Sequence, residues 1–485
     1  MTVSQLQDAD VHATLSRSRR VGILLICSMS LLIVGLDVTI VNVALPSIGK
    51  DLHAKVSGLQ WAVDAYTLVL ASFLMLSGAT GDRFGRKRVF LIGLTVFSIS
   101  SLVCSLAPNV GSLVAFRMVQ GVGASMLNPV ALSIVTNTFT NARERAQAIG
   151  IWAAVFGISN ALGPVLGGVL VDGLGWRSIF WINLPVGIAA IVLTLRFVPE
   201  SRAAAPRRPD PIGQILVIAL LASLTFAIIE APQRGWGSPL IVAGFALSAA
   251  ALAGLLYWER RRFEPLLDLR FFRSVPFAGA GVIAIAAFAA MGGFLFLNTL
   301  YLQDVRGMSA LRAGLDTLPM AVMVMIFPPI SGRIVGARGG RIPLLIAGIA
   351  LAGGCAMLTQ VSATTSFAYL FTAYAVIGIG FGFVNTPITN AAVSGMPRAQ
   401  AGVAGAITSS SRQVGQTLGV AIVGVLAAVS TGGHPNATSH AAWWVLTACG
   451  LAVLVLGLIV TTQWAHRSAV ATAHRLNPEF LGHTS

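Results

Sequence analysis

Apolar runs long enough to cross a bilayer recur along the whole chain, and that recurrence constrains the fold before any motif does. A spanning helix needs about 20 apolar residues. Fourteen segments qualify, near 21–45, 57–80, 89–107, 111–134, 147–171, 178–198, 211–230, 238–257, 276–301, 311–332, 342–361, 366–391, 402–430 and 441–464. With 55% hydrophobic and 10% charged residues among 485, and a mean hydropathy of +0.81, the chain lacks the polar surface to face water all round. The expected class is an all-α membrane protein, because a helix satisfies its own backbone groups in lipid.

The net charge of +15 raises nucleic acid as a partner, so its placement decides. An even number of spans puts both termini on one side, and 24 of the 32 Lys and Arg residues fall on that side. Basic loops face the cytoplasm, which predicts cytoplasmic termini in the inner (plasma) membrane. The basicity then serves topology, with no nucleic acid partner. The first apolar run follows about twenty largely polar residues, carries Asp37 and lacks a small-x-small cleavage site, so it reads as a retained helix and not as a signal peptide. Cys27, Cys104, Cys355 and Cys449 sit in apolar spans without CxxC spacing and read as small hydrophobic residues. With no phosphate-cradling GxxxxGK[ST] and no metal spacing among the seven His residues, neither an enzyme nor a cofactor is expected.

Internal repetition organises the chain. Gly121, Gly123 and Asn128 recur as Gly378, Gly380 and Asn385, Asn42 as Asn298, and Gly163 with Gly168 as Gly419 with Gly424, at a separation of roughly 255 residues. Gly78, Gly85 and Lys87 recur as Gly332, Gly339 and Arg341, with Gly336 replacing Asp82. The expected plan is a tail over 1–20, a six-helix bundle over 21–200, a linker with two extra spans over 201–274, a second six-helix bundle over 275–465 and a tail over 466–485. Polar, charged stretches at 202–210 and 259–262 mark the linker ends.

Gly78-Ala-Thr-Gly-Asp82-Arg83-Phe-Gly85-Arg86-Lys87 resembles the helix 2 to helix 3 loop of the major facilitator superfamily, with Thr80 replacing the usual Leu. Leu36-Asp37-Val-Thr39-Ile-Val-Asn42-Val-Ala-Leu-Pro46 resembles the helix 1 signature of its fourteen-span drug:proton antiporter family. Leu113-x3-Arg117-x2-Gln120-Gly121-x-Gly123-Ala-Ser125 fits the exporters' helix 4. Gly150 and Gly163-Pro164-x2-Gly167-Gly168 resemble the antiporter motif of helix 5, with Ser159 where the family has Gly. Trp61-x2-Asp64-x-Tyr66 resembles helix 2 of antibiotic exporters, and Arg412-Gln413-x-Gly415 adds a weaker match in the second half. The resemblance implies the major facilitator fold, with two bundles, two inserted helices and transport by alternating access.

A charged side chain at mid-span costs about 2.5–3.5 kcal/mol, so Asp37, Asp64, Arg117 and Arg412 must face protein or a watery cavity. Counting 1.5 Å per residue, Asp37, Asp64 and Arg117 lie roughly 13, 10 and 9 Å inward from the outer ends of their helices. Two acids and one cation at similar depth leave one acid without a fixed partner, the arrangement that proton coupling needs. Asp37 is the favoured proton carrier, Arg117 its modulator, and Asp64 the alternative carrier or an attractor of cationic substrate. An ion pair that only holds helices together is the bland reading of each. Asn42, Asn160, Asn298, Asn385, Arg412 and Gln413 are expected to line the substrate cavity. Gly78, Asp82, Arg83, Gly85, Arg86 and Lys87 are expected to latch the cytoplasmic gate, the cations alternatively anchoring lipid headgroups. Gly163, Pro164, Gly167 and Gly168 are expected to shape a bent, closely packed gate helix. The expected function is a monomeric, proton-driven exporter of amphiphilic compounds, cationic or aromatic. Its rivals are a proton-symporting importer and a non-transporting sensor.

Overall fold

The computed structural model describes residues 16–139, 141–203, 210–262, 265–393, 401–429 and 440–476, and every regular element among them is helical. The first bundle contains α1 (Arg17–Asp51), α2 (Val56–Phe84), α3 (Arg86–Ser105), α4 (Val110–Thr138), α5 (Ala142–Leu174) and α6 (Ser178–Phe197). Next come α7 (Pro211–Arg234) and α8 (Pro239–Arg261), which pack on each other. The second bundle contains α9 (Val275–Leu300), extended by a π turn over Tyr301–Val305, then α10 (Ala310–Asp316), α11 (Leu318–Arg338), α12 (Arg341–Leu358), α13 (Phe367–Val393), α14 (Ala401–Val429) and α15 (His440–Val460). A last helix, α16 (Gln463–Leu476), lies beside the start of α9, where Ser468 Oγ accepts from the Val275 N–H at 2.9 Å.

Among the described residues, thirteen helices are long and apolar enough to cross a membrane. The fourteenth expected span is α14, a continuous helix of 29 residues whose apolar character is diluted by Ser409, Ser410, Ser411, Arg412 and Gln413. The chain is a multi-pass membrane protein. One expectation changes: the span near 311–332 is broken into α10 and α11 at Thr317. Pro319 lacks the N–H that would bond Leu315, so the helix restarts there.

The repeat is a packing repeat. A Cβ on Gly121 would meet Tyr66 O of α2 at 2.7 Å, and one on Gly378 would meet Met320 O of α11 at 2.5 Å. Likewise a Cβ on Gly123 would meet Phe97 N of α3 at 2.6 Å, and one on Gly380 would meet Leu351 N of α12 at 3.0 Å. Glycine is therefore what lets α4 and α13 approach their neighbours backbone to backbone.

The two bundles meet along two seams, α2 with α14 and α5 with α10 and α11. Every hydrogen bond joining described residues of the two bundles lies in the half remote from the basic loops. Gln60 Nε2 donates to Ala421 O at 2.9 Å, and the Thr67 and Thr417 hydroxyls bond at 2.8 Å. Gln303 Nε2 donates to Val43 O at 2.8 Å. The Asp172 carboxylate accepts from the N–H groups of Ala310 at 3.1 Å and Leu311 at 2.8 Å. Toward the basic face, Thr389 and Asn390 of α13 are exposed and Asn385, Arg412 and Gln413 partly so. Among the described residues, hydrogen bonds thus seal the bundles at the distal end, and none joins them at the basic end.

Glycine contacts make this seal. A Cβ on Gly314 would overlap the Pro164 carbonyl, and one on Gly168 would overlap the Leu311 backbone. Overpacking costs about 1–3 kcal/mol, enough to shift a two-state closure about tenfold. Gly314→Val is therefore expected to open the distal seam. In reconstituted vesicles, an introduced Thr317→Cys should then react about tenfold faster with an impermeant thiol reagent from the distal side; an unchanged rate would show that this contact does not control closure.

Candidate functional site

Asp37, on α1, is wholly buried at the meeting point of the first bundle. Arg117 Nη1 of α4 donates to its Oδ2 at 2.5 Å. Gln120 Nε2, one turn along α4, donates to Oδ1 at 2.9 Å, and Asn183 Nδ2 of α6 donates to Oδ1 at 3.3 Å. Arg117 is equally occupied: Nε donates to Ala62 O at 3.2 Å, Nη1 also to Gln120 Oε1 at 2.8 Å, and the guanidinium stacks 4.2 Å from the Tyr66 ring centroid. Asn183 passes the network on to Ser101 Oγ of α3 at 3.0 Å. The sequence reading brings Asp37 and Arg117 to one depth, and the structure joins them. Gln120 belongs to the helix 4 motif, and its i+3 spacing from Arg117 puts the two on one helix face, a signal of its role. Nothing near Asn183 in the sequence announces its part.

Asp64 is also wholly buried, yet neither carboxylate oxygen has a hydrogen-bond partner. It is not part of the Arg117 network, although Ala62 and Tyr66 on either side of it are. The reason is helical phase. Ala62 and Tyr66 face α4, whereas Gln60, Asp64 and Thr67 stand at i, i+4 and i+7 on the face turned to α14. Asp64 therefore lies inside the distal seam, between Gln60 and Thr67, from which α2 makes its cross-bundle bonds. In this state a substrate in the open space does not reach it.

Asn42 and Asn298 line one small pocket under the distal seal, together with Thr39, Pro164, Gln303 and Gly314. Asn42 Oδ1 is buried without a partner, and Asn298 Oδ1 accepts from Tyr374 OH at 2.6 Å. Beside this pocket, at the break between α10 and α11, sits a buried acid that the sequence reading passed over. Asp316 is ion-paired with Arg312, whose Nε lies 3.2 Å from Oδ1, and its Oδ2 has no partner. Asn385, Arg412 and Gln413 lie apart from this pocket, toward the basic side. The side chain of Asn160 lies outside the described residues, as do Arg398 and the tails 1–15 and 477–485.

Gly85, between α2 and α3, has φ +116°, and a Cβ there would meet Glu200 Oε1 at 2.7 Å. Only glycine fits both constraints. Asp82 accepts from Arg86 Nε at 2.9 Å and Nη2 at 2.8 Å. The backbone of Lys87 donates to Glu200 at 3.0 Å, and Arg86 N donates to Ser201 O at 2.9 Å. Lys87 Nζ donates to Leu195 O at 2.9 Å, and Arg83 lies 5.7 Å from the Phe84 ring centroid. A Cβ on Gly78 would lie 3.6 Å from Pro129 Cβ of α4, an ordinary contact. In the present state this loop is tied to its own bundle. On α5, a Cβ on Gly163 would overlap the Thr39 hydroxyl, and one on Gly167 would meet Ile40 at 2.9 Å. Gly163 and Gly167 thus seat α5 on α1, while Pro164 and Gly168 meet the second bundle.

Removing one partner of a buried ion pair costs about 3–5 kcal/mol. Arg117→Ala is therefore expected to lower the thermal midpoint of the purified protein markedly. The double variant Asp37→Asn/Arg117→Gln should lose less than the sum of its single changes, because it leaves no uncompensated charge. Additive losses in a thermal-shift assay would show that the pair does not act as a unit.

The profile of the Major Facilitator Superfamily matches residues 27–420. Over 406 residues the chain is 40% identical to the multidrug resistance protein Stp of Mycobacterium tuberculosis, covering 84% of this chain and 75% of that protein. It is 37% identical to the methylenomycin A resistance protein of Streptomyces coelicolor, covering 90% and 92%, and 37% identical to the tetracenomycin C resistance and export protein of Streptomyces glaucescens, covering 86% and 77%. Among solved structures, a bacterial homologue of the human lysosomal transporter Spinster superposes with a TM-score of 0.61 at 17% identity, covering 95% of this chain and 98% of that one. The D-xylose-proton symporter superposes with a TM-score of 0.64 at 16% identity, covering 90% and 96%; at that identity the likeness concerns the fold. With a profile spanning most of both bundles and relatives this similar along most of their length, the chain belongs to the Major Facilitator Superfamily.

Proposed function

We propose that the chain is a drug efflux transporter that exports amphiphilic compounds in exchange for inward-moving protons. The relatives named for resistance and export support efflux over import, and the superfamily supports a transporter over an enzyme. The basic face is the cytoplasmic one, with both termini on it, in the plasma membrane. The chain works as a monomer with protons as its only coupling species. On this assignment the structure is the inward-facing state, with its central space open to the cytoplasm.

The observation that carries the proton reading is Asp64, buried without a partner in the α2–α14 seam. An ionised, unpaired carboxylate in such a place costs several kcal/mol, so the closed seam suits the neutral acid. Opening the seam outward wets Asp64, and a proton taken up from outside lets the seam close again. Loss of that proton toward the cytoplasm leaves a charge that the closed seam tolerates poorly, and this drives the return. The Thr67 and Thr417 hydroxyls stand one turn nearer the open side. At about 150 mV one inward proton supplies about 3.5 kcal/mol, the same order as the burial penalty. The sequence favours Asp37 as carrier; its four-helix network of bonds instead fits a fixed structural charge.

Asp64→Asn should keep the seam closed at every pH and abolish proton release when substrate is added to sealed proteoliposomes, while the protein still folds. If that variant still releases protons and concentrates substrate, the carrier is Asp37. Asp82 and the cations Arg83, Arg86 and Lys87 would engage the second bundle when the cytoplasmic side closes. Asp82→Asn is therefore expected to slow turnover without lowering the amount of protein in the membrane. Unchanged transport would remove the loop from the gate.

A further inference from the structure

Two arginines sit within the spans, and their surroundings are opposite. Arg117 is saturated by Asp37, Gln120, Ala62 and Tyr66. Arg412, on α14, has no carboxylate partner among the described residues. Its Nη2 donates to Thr389 Oγ1 of α13 at 2.7 Å, its Nε is buried without a partner, and Nη1 bonds no described residue. The guanidinium lies 5.7 Å from the ring centroid of Phe288 on α9, so three helices converge on it. On the same helix, Ser410 Oγ and Gln413 Oε1 are also buried without partners.

Position adds to chemistry. Thr417, on the same helix, makes the cross-bundle bond nearest the open side of the α2–α14 seam. Arg412 lies five residues below it, about 7.5 Å at 1.5 Å per residue. Its side chain is partly exposed at that level. Thr389, which fixes one end of the guanidinium, is itself exposed there.

We infer that Arg412 is the docking point for an anionic group of the exported compound, so that the preferred substrates are amphiphilic aromatic acids. This rests on the efflux reading above and replaces the expectation of a cationic substrate. A cation in a span without a countercharge is costly, and a carboxylate from the ligand supplies the missing partner. Arginine is suited to this because its planar donors match a carboxylate bidentately. Phe288 offers an aromatic face beside the charge for the apolar part of the ligand. A cationic compound would meet like charge at the same place. Exporting an anion also moves negative charge out of a cell that is negative inside, so the membrane potential assists each cycle together with the proton.

Matched probes test this without first knowing the natural substrate. Pyrenebutyric acid and its methyl ester share ring and chain and differ in charge at pH 7. The purified full-length protein should bind the acid about tenfold more tightly than the ester, as expected for a charge-assisted hydrogen-bonded pair. Arg412→Gln should lose that preference, and Arg412→Lys should keep part of it. Because the acid-to-ester comparison on the unaltered protein needs no variant, misfolding of Arg412→Gln does not obscure the result. Equal affinity of the unaltered protein for the two probes, or binding of neither, overturns the inference. An acid preference that survives in folded Arg412→Gln overturns it too. Proton-driven export of the acid by the unaltered protein is a separate measurement; its failure, with the acid bound as expected, would count against the efflux reading and not against Arg412.

Discussion

The buried pair of Asp37 and Arg117 fixes the first bundle, because its bonds reach α1, α2, α4 and α6, and through Ser101 also α3. Arg117 grips α2 by the Ala62 carbonyl and the Tyr66 ring, which sets the rotation of that helix. Once Ala62 and Tyr66 are turned inward, Gln60, Asp64 and Thr67 must look out toward α14. The position of the unpaired acid in the seam is thus a consequence of the paired one. A network that loosened Arg117 would also unfix the face on which the proposed proton carrier stands.

The two halves share their packing and divide their chemistry. Gly121 and Gly378, or Gly123 and Gly380, do the same mechanical work in each bundle. The seams are also related: Gly168 of α5 closes on Leu311 of α10, and Gly424 of α14 closes on Gln60 of α2. The charges break this symmetry. The first bundle holds the network and the solitary acid, and the second holds a solitary cation. Duplication supplies two matching bundles, and the departures from it put the unpaired acid in one and the unpaired cation in the other.

The inserted helices belong to this division of labour. The α7 helix lies along both α2 and α14. Gln214 donates to Ser72 O of α2 at 2.6 Å, and Glu230 accepts from Trp61 Nε1, one turn from Asp64, at 3.2 Å. Leu221, Leu224 and Thr225 of α7 meet Leu68 of α2 and Leu418 of α14 around a small shared pocket. This helix therefore covers the outer side of the seam that holds Asp64, while the α5 seam has no such cover among the described residues. An acid that must stay dry when the seam is shut gains from the added layer.

Sequence alone determined the class, the duplication and the family resemblance. Each is written in local pattern: runs of apolar residues set spans, and recurring glycines set close contacts. It also placed Asp37, Asp64 and Arg117 at one depth, since depth follows from residue count along a helix. Helix pairing decided the rest. Which acid Arg117 takes depends on how α1 and α4 approach, and that Asp64 is left alone depends on the rotation of α2 about its own axis. Neither is a property of a single segment. The contacts of Asp172 with the start of α10, of Gln303 with α1, and of Arg412 with Thr389 join residues far apart in the chain. Short-range spacing carries no record of such partners, because it is the three-dimensional assembly of helices that brings them together.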